Sequence, residues 1–513
     1  MSMSMSISNK SGDGETPSDA PLSILGSERG NGLSPNRRRV LQVGSAGLFG
    51  IGLADLMRLE AAGSVLNSPK IAPRCKSVIV LFLFGGPSQL ETFDMKPEAP
   101  EKIRGPYKPI ASRNPDLRIC EHLPRLANLA DQFAVIRTMS HTFNDHSGGA
   151  HYLQTGKRWH VPIGGGFAPT PRDWPSMGSI VEYVDQAKLG LDRPMPSYMV
   201  VPNSLGRLQE DGQYPRPGEH AGWLGQRYNP LTTRIDKRSK EDNPYWRDCT
   251  DAELKYGISG LDQRDELVLD RMQSRHSLLH QLNRQLQRID AKNAKASLES
   301  NSREGAEDLD VFRQRAFSLA TSKEAREALD IQRESDAVRD RYGRHLFGQS
   351  TLMARRLIES GVRFVTVQYD CVDGYSWDSH RNSDDVGKHL LPTFDQACSS
   401  LLIDLKERGM LEETMVIALG EMGRTPTANA QWGRDHWSTL FPCLIAGGGV
   451  QGGALIGRSD KDAAYAIERP VSPEDLAATI YESLGIDPEM RVNDFQNRPT
   501  PIVDGGKPVR ELF

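Results

Sequence analysis

Four stretches of this chain collect residue types that do chemistry together. The densest is His141-Thr142-Phe143-Asn144-Asp145-His146-Ser147-Gly148-Gly149-Ala150-His151, which places three of the chain's twelve histidines within eleven positions. Histidine is the commonest metal ligand and the residue best suited to move protons near neutral pH. A second stretch carries Asp370, Asp373, Asp378 and His380, and the Asp378-Ser379-His380 spacing lets a carboxylate and an imidazole reach one ion from a loop. The third runs Gly420-Glu421-Met422-Gly423-Arg424-Thr425-Pro426, followed by Asn429 and Gly433-Arg434-Asp435-His436-Trp437. The fourth, from Gly85-Gly86-Pro87-Ser88 to Glu91 and Asp94, is a Gly-rich turn whose N–H groups suit an anion and whose acidic residues suit a cation.

Carboxylates and imidazoles gathered at the ends of separate strands are what a mononuclear or dinuclear metal hydrolase needs. The cation makes a water or hydroxyl nucleophile acidic and neutralises a phosphoryl or sulfuryl group, while an arginine such as Arg424 or Arg434 stabilises the same anion. Each stretch also has a plain structural reading. Asp and Gly after a strand are ordinary turn formers, Asp435-His436 fits a hydrogen-bonded loop anchor, and His141 or His151 can be satisfied without a metal.

The elements that must position these residues alternate between strand and helix. Residues 76–84 (KSVIVLFLF) form a continuous β-branched and aromatic run, which is how a strand buried on both faces reads. Further strands are expected at 133–137, 194–202, 363–369, 414–419 and 441–446. Helices are expected at 123–132, 175–184, 350–360, 391–408 and 473–484. A long amphipathic helical insert spans about 262–345, with apolar residues three and four apart over 262–292 and more helix at 308–342. Its charged outer faces read as a solvated surface or as a lid over the strand ends. This alternation implies an α/β fold with a mainly parallel sheet, helices on both faces, and ligands outside the carboxyl ends of the strands. Gly447-Gly448-Gly449 lacks the Lys and Ser/Thr of a P-loop and reads as a tight turn before a hairpin at Gly452-Gly453.

Composition bounds the rest. The 513 residues, 38% hydrophobic and 25% charged, supply a substantial core. A formal charge of −4 argues against a dedicated nucleic-acid binder. Six cysteines without a CxxC pair signal neither a zinc ribbon nor a disulfide framework, though an exported chain has room for one or two bridges. Residues 1–36 have the Ser/Gly/Asp/Pro content of a disordered tail. Arg37-Arg38-Arg39 and the apolar stretch 43–54 then resemble a twin-arginine (Tat) signal over 37–62, with Ala61-Ala62 a weak cleavage site, and an ordinary amphipathic helix is the alternative. No later run is long enough to span a bilayer.

The order VIVLFLFGGPSQLETFD, HSGGAHYLQTG, WDSH, ETMVIALGEMGRTP, GRDHW and FPCLIAGGGVQGGALIG resembles an uncharacterised family of Tat-exported bacterial proteins in the alkaline-phosphatase-like superfamily, beside sulfatases and cofactor-independent phosphoglycerate mutase. The resemblance covers residues 76–513. It implies the superfamily's fold and a divalent metal (Ca, Mg, Mn or Zn), with Glu421 at the acidic ligand of the motif after a central strand and WDSH at an Asp/His ligand segment. Residues 146–156, ending Gln154-Thr155-Gly156, are similar to the sulfatase signature. The departures are specific. His146 stands where sulfatases carry the formylglycine precursor, Ser147 would serve only with a register shift, Gly85 and Gly86 stand where two aspartates are common, and Met422 replaces a ligand.

Three readings follow. The first is an exported metal-dependent hydrolase of small-molecule or polysaccharide phosphate or sulfate esters. Its metal ligands are Asp378, His380, Glu421, Asp435 and His436, its catalytic groups His146, Arg424 and Arg434, its further candidates Glu91, Asp94 and His151, and its nucleophile a water or hydroxide on the metal. The second is a binding or structural envelope protein that keeps the fold without turnover. The third, a phosphomutase-like enzyme, requires a serine nucleophile and two metals.

Overall fold

The computed structural model describes residues 71–190, 193–203, 216–235, 238–239, 242–258, 318–319, 322–370 and 376–513. The chain divides into residues 1–55 and 56–513, and every described residue falls in the second unit. The expected tail 1–36, signal 37–62, helix 262–292, Asp373 and Cys371 lie outside the described residues.

The main sheet has nine strands: β1 (Ser77–Phe82), β2 (Phe133–Met139), β3 (Tyr198–Val201), β4 (Leu231–Arg234), β5 (Gly257–Ile258), β6 (Phe364–Gln368), β7 (Thr414–Leu419), β8 (Phe441–Ala446) and β9 (Leu455–Ile456). They lie in the order β9-β2-β8-β7-β1-β6-β3-β4-β5. β1 pairs in parallel with β6 and β7, and the β6–β3, β3–β4 and β9–β2 pairs are parallel too. β8 runs against both β2 and β7, and β5 against β4. The sheet is therefore mainly parallel with one reversed central strand.

All six residues of β1 are buried, and they alternate between two cores. Ile79 and Leu81 join the core built with α3 (Leu346–Glu359) and α4 (Leu391–Glu407). Val78, Val80 and Phe82 join the core on the other face, with α1 (His146–Thr155), α2 (Met177–Leu189) and α5 (Pro473–Ser483). Helices thus cover both faces, which is why the central strands read as unbroken apolar runs. α5 starts on a capping box between Ser472 and Asp475 with Pro473 at its first turn. α1 starts on Asp145, whose carboxylate accepts from the Gly148 N–H (2.8 Å), and ends on Gly156 in the left-handed region.

Several expected elements are corrected. The helix expected at 123–132 is the single turn Pro124–Ala127, because the chain must turn within five residues to enter β2. The described part of 308–342 is not continuous. Ser322 and Ser335 each cap a separate short helix, Lys323–Leu329 and Asp336–Tyr342, so the insert ends in short pieces. No hairpin follows Gly447-Gly448-Gly449. β9 instead pairs with β2, on the side of β2 away from β8. The five described cysteines are free and buried.

Candidate metal centre

The carboxyl ends of β1, β2, β6 and β7 share one edge of the sheet. Glu421 follows β7 by two residues, Asp378 and His380 lie in the loop beyond β6, and His146 is the first residue of α1 beyond β2. His436 precedes β8. Because β8 is reversed, its start lies at that same edge, and a two-residue ribbon pairs Arg424 with His436.

Four side chains converge there: one donor atom from each of His146, Asp378, His380 and His436 lies within 4.8 Å of the others. The tightest part is a triangle. Asp378 Oδ1 is 3.0 Å from His380 Nε2 and 3.3 Å from His436 Nε2, and the two Nε2 atoms are 2.9 Å apart. The far side of each ring fixes its tautomer. His380 Nδ1 donates to Asp435 Oδ1 (2.7 Å), and His436 Nδ1 donates to the Asn144 carbonyl (3.1 Å). Two imidazole nitrogens and a carboxylate oxygen therefore face one another, an arrangement that positive charge stabilises, whether ring protons or a cation supply it. The spacing suits a cation. Ligand atoms about 2.1 Å from a metal stand roughly 3.0 Å apart in an octahedron and 3.4 Å apart in a tetrahedron.

His146 sits beside this triangle. Its Nδ1 is hydrogen-bonded to Glu421 Oε1, and its Nε2 is 3.1 Å from the other Asp378 oxygen, Oδ2. That Nε2 is buried and has no aligned hydrogen-bond partner. Glu421 is fully buried, and the Gly85 N–H donates to both of its oxygens (2.9 and 3.1 Å). His141 Nε2 donates to the Glu421 carbonyl (2.6 Å), and His141 Nδ1 accepts from the Phe143 N–H (3.1 Å). Burial lowers the His141 pKa to about 4, so the ring is neutral in this role.

The glycines of the β1 exit are required by close approach. A Cβ on Gly85 would come within 2.5 Å of the Asp378 main-chain nitrogen, and one on Gly86 within 2.5 Å of the Met422 carbonyl. Both residues have positive φ. Fully buried Arg424 ties this turn to the cluster. Its guanidinium donates to the Gly85 and Gly86 carbonyls and reaches Asp378 Oδ1 (2.6 Å). Burial works against ionising Asp378, but the surrounding His146, His380 and His436 rings outweigh it and hold the carboxyl well below its usual range. Burial likewise opposes a charge on His146, yet Asp378 and Glu421 together raise its pKa to about 9.

The remaining candidates lie elsewhere or play another part. Asp435 is 81% exposed and touches the outer nitrogen of His380, so it orients that ring from outside the cluster. Glu421 stands in the same relation to His146. Arg434 and Glu91 form a buried ion pair (2.9 Å), and the guanidinium also donates to the carbonyls of Ile103, Thr425 and Pro426. Asp94 pairs with Lys96 (2.9 Å) and accepts from Ser459. His151 is buried, donates to the Lys157 carbonyl (3.1 Å) and accepts from the Trp174 N–H (3.3 Å), and burial lowers its pKa to about 4. These four make their contacts away from the triangle. Asn144 escaped the sequence reading. Besides its carbonyl, its side chain donates to the His436 carbonyl (3.2 Å) and accepts from the Ser438 N–H (3.0 Å), which clamps the His436 segment. A main-chain acceptor leaves no mark in residue type.

A family model described as "Protein of unknown function (DUF1501)" matches residues 75–513. No curated protein matches the chain. Among solved structures it is similar to the PsFucS1 sulfatase from Pseudoalteromonas sp., at 14% identity and a TM-score of 0.35, over 88% of this chain and 77% of that one. It is also similar to the phosphonate monoester hydrolase SpPMH from Silicibacter pomeroyi, at 13% identity and 0.32, over 86% and 76%. A protein in the alkaline phosphatase superfamily from Vibrio parahaemolyticus matches at 12% identity and 0.33, over 84% and 75%.

Proposed function

We propose that this chain, which belongs to the DUF1501 family of proteins of unknown function, is a metal-dependent hydrolase of phosphate or sulfate esters. The triangle of Asp378 Oδ1, His380 Nε2 and His436 Nε2 carries the reading, because three acceptors at ligand spacing call for a cation. A divalent cation held there supplies Lewis acidity to an ester oxygen and makes a nearby water acidic. Two imidazoles beside one carboxylate suit Zn or Mn better than Ca or Mg, which favour oxygen ligands.

The other roles belong to the chain's own side chains. Asp435 and the Asn144 carbonyl hold the Nδ1 protons of His380 and His436, which keeps both lone pairs turned inward. Arg424 fixes Asp378 against the glycine turn, so its charge supports the site's architecture as well as its potential. Glu421 holds the Nδ1 proton of His146 and so turns Nε2 toward Asp378 Oδ2.

Export through the Tat machinery to the periplasm or cell envelope belongs to the same proposal and rests on the address read at 37–62. Among the described residues, no helix is long and apolar enough to cross a membrane. Elemental analysis of the purified chain, beside Asp378→Asn and His436→Ala, tests the reading. Stoichiometric metal that disappears in both variants, with p-nitrophenyl phosphate or sulfate turnover that follows it, is the expected outcome. A parent that takes up no metal after incubation with Zn, Mn, Mg or Ca leaves the non-catalytic envelope protein as the better account.

A further inference from the structure

We infer that Asn429 is a positioning residue of the metal centre: its side-chain amide fixes the His380 main chain against the segment that carries His436, and so sets the spacing of the two imidazoles. Asn429 touches neither the cation nor an ester, and its role rests on the metal reading of the cluster.

His380 is the least sheltered corner of that cluster. Its side chain is 39% exposed, against 20% for His146, 29% for Asp378 and 22% for His436. Its ring leans outward on Asp435, which is itself exposed. A ligand so open to water gains little rigidity from packing, and its geometry depends on the hydrogen bonds that hold it from behind.

Those bonds come from residues 429–435. The Asn429 Nδ2 donates to the His380 carbonyl (2.8 Å), the Arg434 N–H donates to the Ser379 carbonyl (3.0 Å), and Asn382 forms a β-bridge with Trp432. The approach is close, because a Cβ on Gly433 would lie 2.1 Å from the His380 carbonyl oxygen. His436 lies at the end of the same segment, so this clamp joins the two imidazoles through a short stretch of main chain.

Asn429 also shapes the turn that brings Gly433 there. Its Oδ1 accepts from the N–H groups of Gln431 (2.9 Å) and Gly433 (2.8 Å), and its own N–H donates to the Gly433 carbonyl (2.8 Å). Its carbonyl accepts from Lys102 Nζ (3.0 Å) and from the Trp432 N–H (3.3 Å). Each polar atom of this exposed residue is thus engaged. Trp432 is held at φ +67°, a left-handed conformation that a bulky side chain rarely adopts and that persists only where its surroundings enforce it. Aspartate shapes such turns as well as asparagine does, but only asparagine carries the donor that reaches the His380 carbonyl.

The test is zinc and cobalt(II) binding by the full chain, with the parent beside Asn429→Asp and Asn429→Ala and urea unfolding of each metal-free protein. Asn429→Asp keeps the oxygen that shapes the turn and removes the donor, whereas Asn429→Ala removes both. Zinc affinity of Asn429→Ala should fall about tenfold by equilibrium dialysis. At saturating cobalt(II), the visible absorption of both variants should change in position and intensity, because it reports the geometry of the donors around the ion. Unfolding midpoints should stay near the parent's, since the side chain is exposed. Unchanged zinc affinity in Asn429→Ala, or a parental cobalt spectrum in either variant, overturns the positioning role and leaves the metal reading standing. A lowered unfolding midpoint with a parental spectrum makes Asn429 a structural residue only and overturns it likewise. A parent that takes up neither ion overturns the metal reading, and the role of Asn429 with it.

Discussion

Two groups of charged side chains arise from the same strand-exit segments, and they solve opposite problems. Arg434 and Glu91 pair opposite charges: a buried cation meets a buried anion, and the guanidinium also donates to main-chain carbonyls. Asp378, His380 and His436 instead turn a carboxylate oxygen and two ring nitrogens toward one point, with Arg424 on the same oxygen and the Nδ1 protons held on the outside by Asp435 and Asn144. Both groups read alike in sequence, as acidic and basic residues in Gly-rich loops. What separates them is the direction of the lone pairs. Converging ring nitrogens and a carboxylate oxygen could hold a cation, whereas a charge paired with its opposite acts as a brace.

The sharpest way to break this contrast is to remove a corner of the triangle. Asp378→Asn or His436→Ala should lower metal affinity at least a hundredfold by equilibrium dialysis, more than loss of an orienting partner does. Their unfolding midpoints should stay near the parent's, because both side chains are partly exposed. The brace should respond the other way. Arg434→Met leaves Glu91 buried without a partner and should cost about 3–5 kcal/mol in urea unfolding, with metal affinity of the folded protein unchanged. Pairing it with Glu91→Met should recover most of that loss. A brace variant that abolishes metal binding while still folded would erase the distinction.

A smaller effect is expected one step out from the cluster. Asn144→Ala removes the side-chain clamp on the His436 segment and should weaken metal binding about 10- to 100-fold without abolishing it. A remote histidine gives the last control. His345 is buried, caps α3 by accepting from the Gly348 N–H (3.1 Å), and is pushed by burial from 6.5 down to about 3. It is neutral in the fold and protonates more readily when unfolded, so its contribution is complete above pH 6.5 and is lost as pH falls toward 3. Between pH 6.5 and 5.5 the loss should be ~1 kcal/mol. His345→Asn keeps a capping oxygen and should flatten that part of the stability profile, with no change in metal content.

Much of the scaffold was legible because its strands are buried on both faces. The runs at 414–419 and 441–446 match β7 and β8 residue for residue, since unbroken β-branched and apolar sequence has few other ways to satisfy its burial. The turn at 123–132 was not legible, because its apolar spacing fits a helix while the distance to β2 forbids more than one turn. At the site, His146, Asp378, His380 and His436 stand out by residue type. Asp435 and Glu421 read equally well as ligands, yet each lies behind an imidazole. Residue type cannot separate a ligand from the group that orients it, because both must be acceptors and they differ in position by the width of one ring.

The sequence by itself determined a large α/β core, a sheet with both faces covered, and the concentration of imidazoles and carboxylates where strands end. These follow from local pattern: apolar runs, caps and Gly-rich exits act over a few residues and leave their mark in order and spacing. Tertiary structure alone decided that β8 runs backwards and so brings His436 to the edge reached by Asp378 from β6 and by His146 from β2. It alone separated Arg424, which reaches Asp378, from Arg434, which turns away to Glu91. Both outcomes depend on pairings between residues tens to hundreds of positions apart, which the packing of the whole core selects and no local pattern encodes.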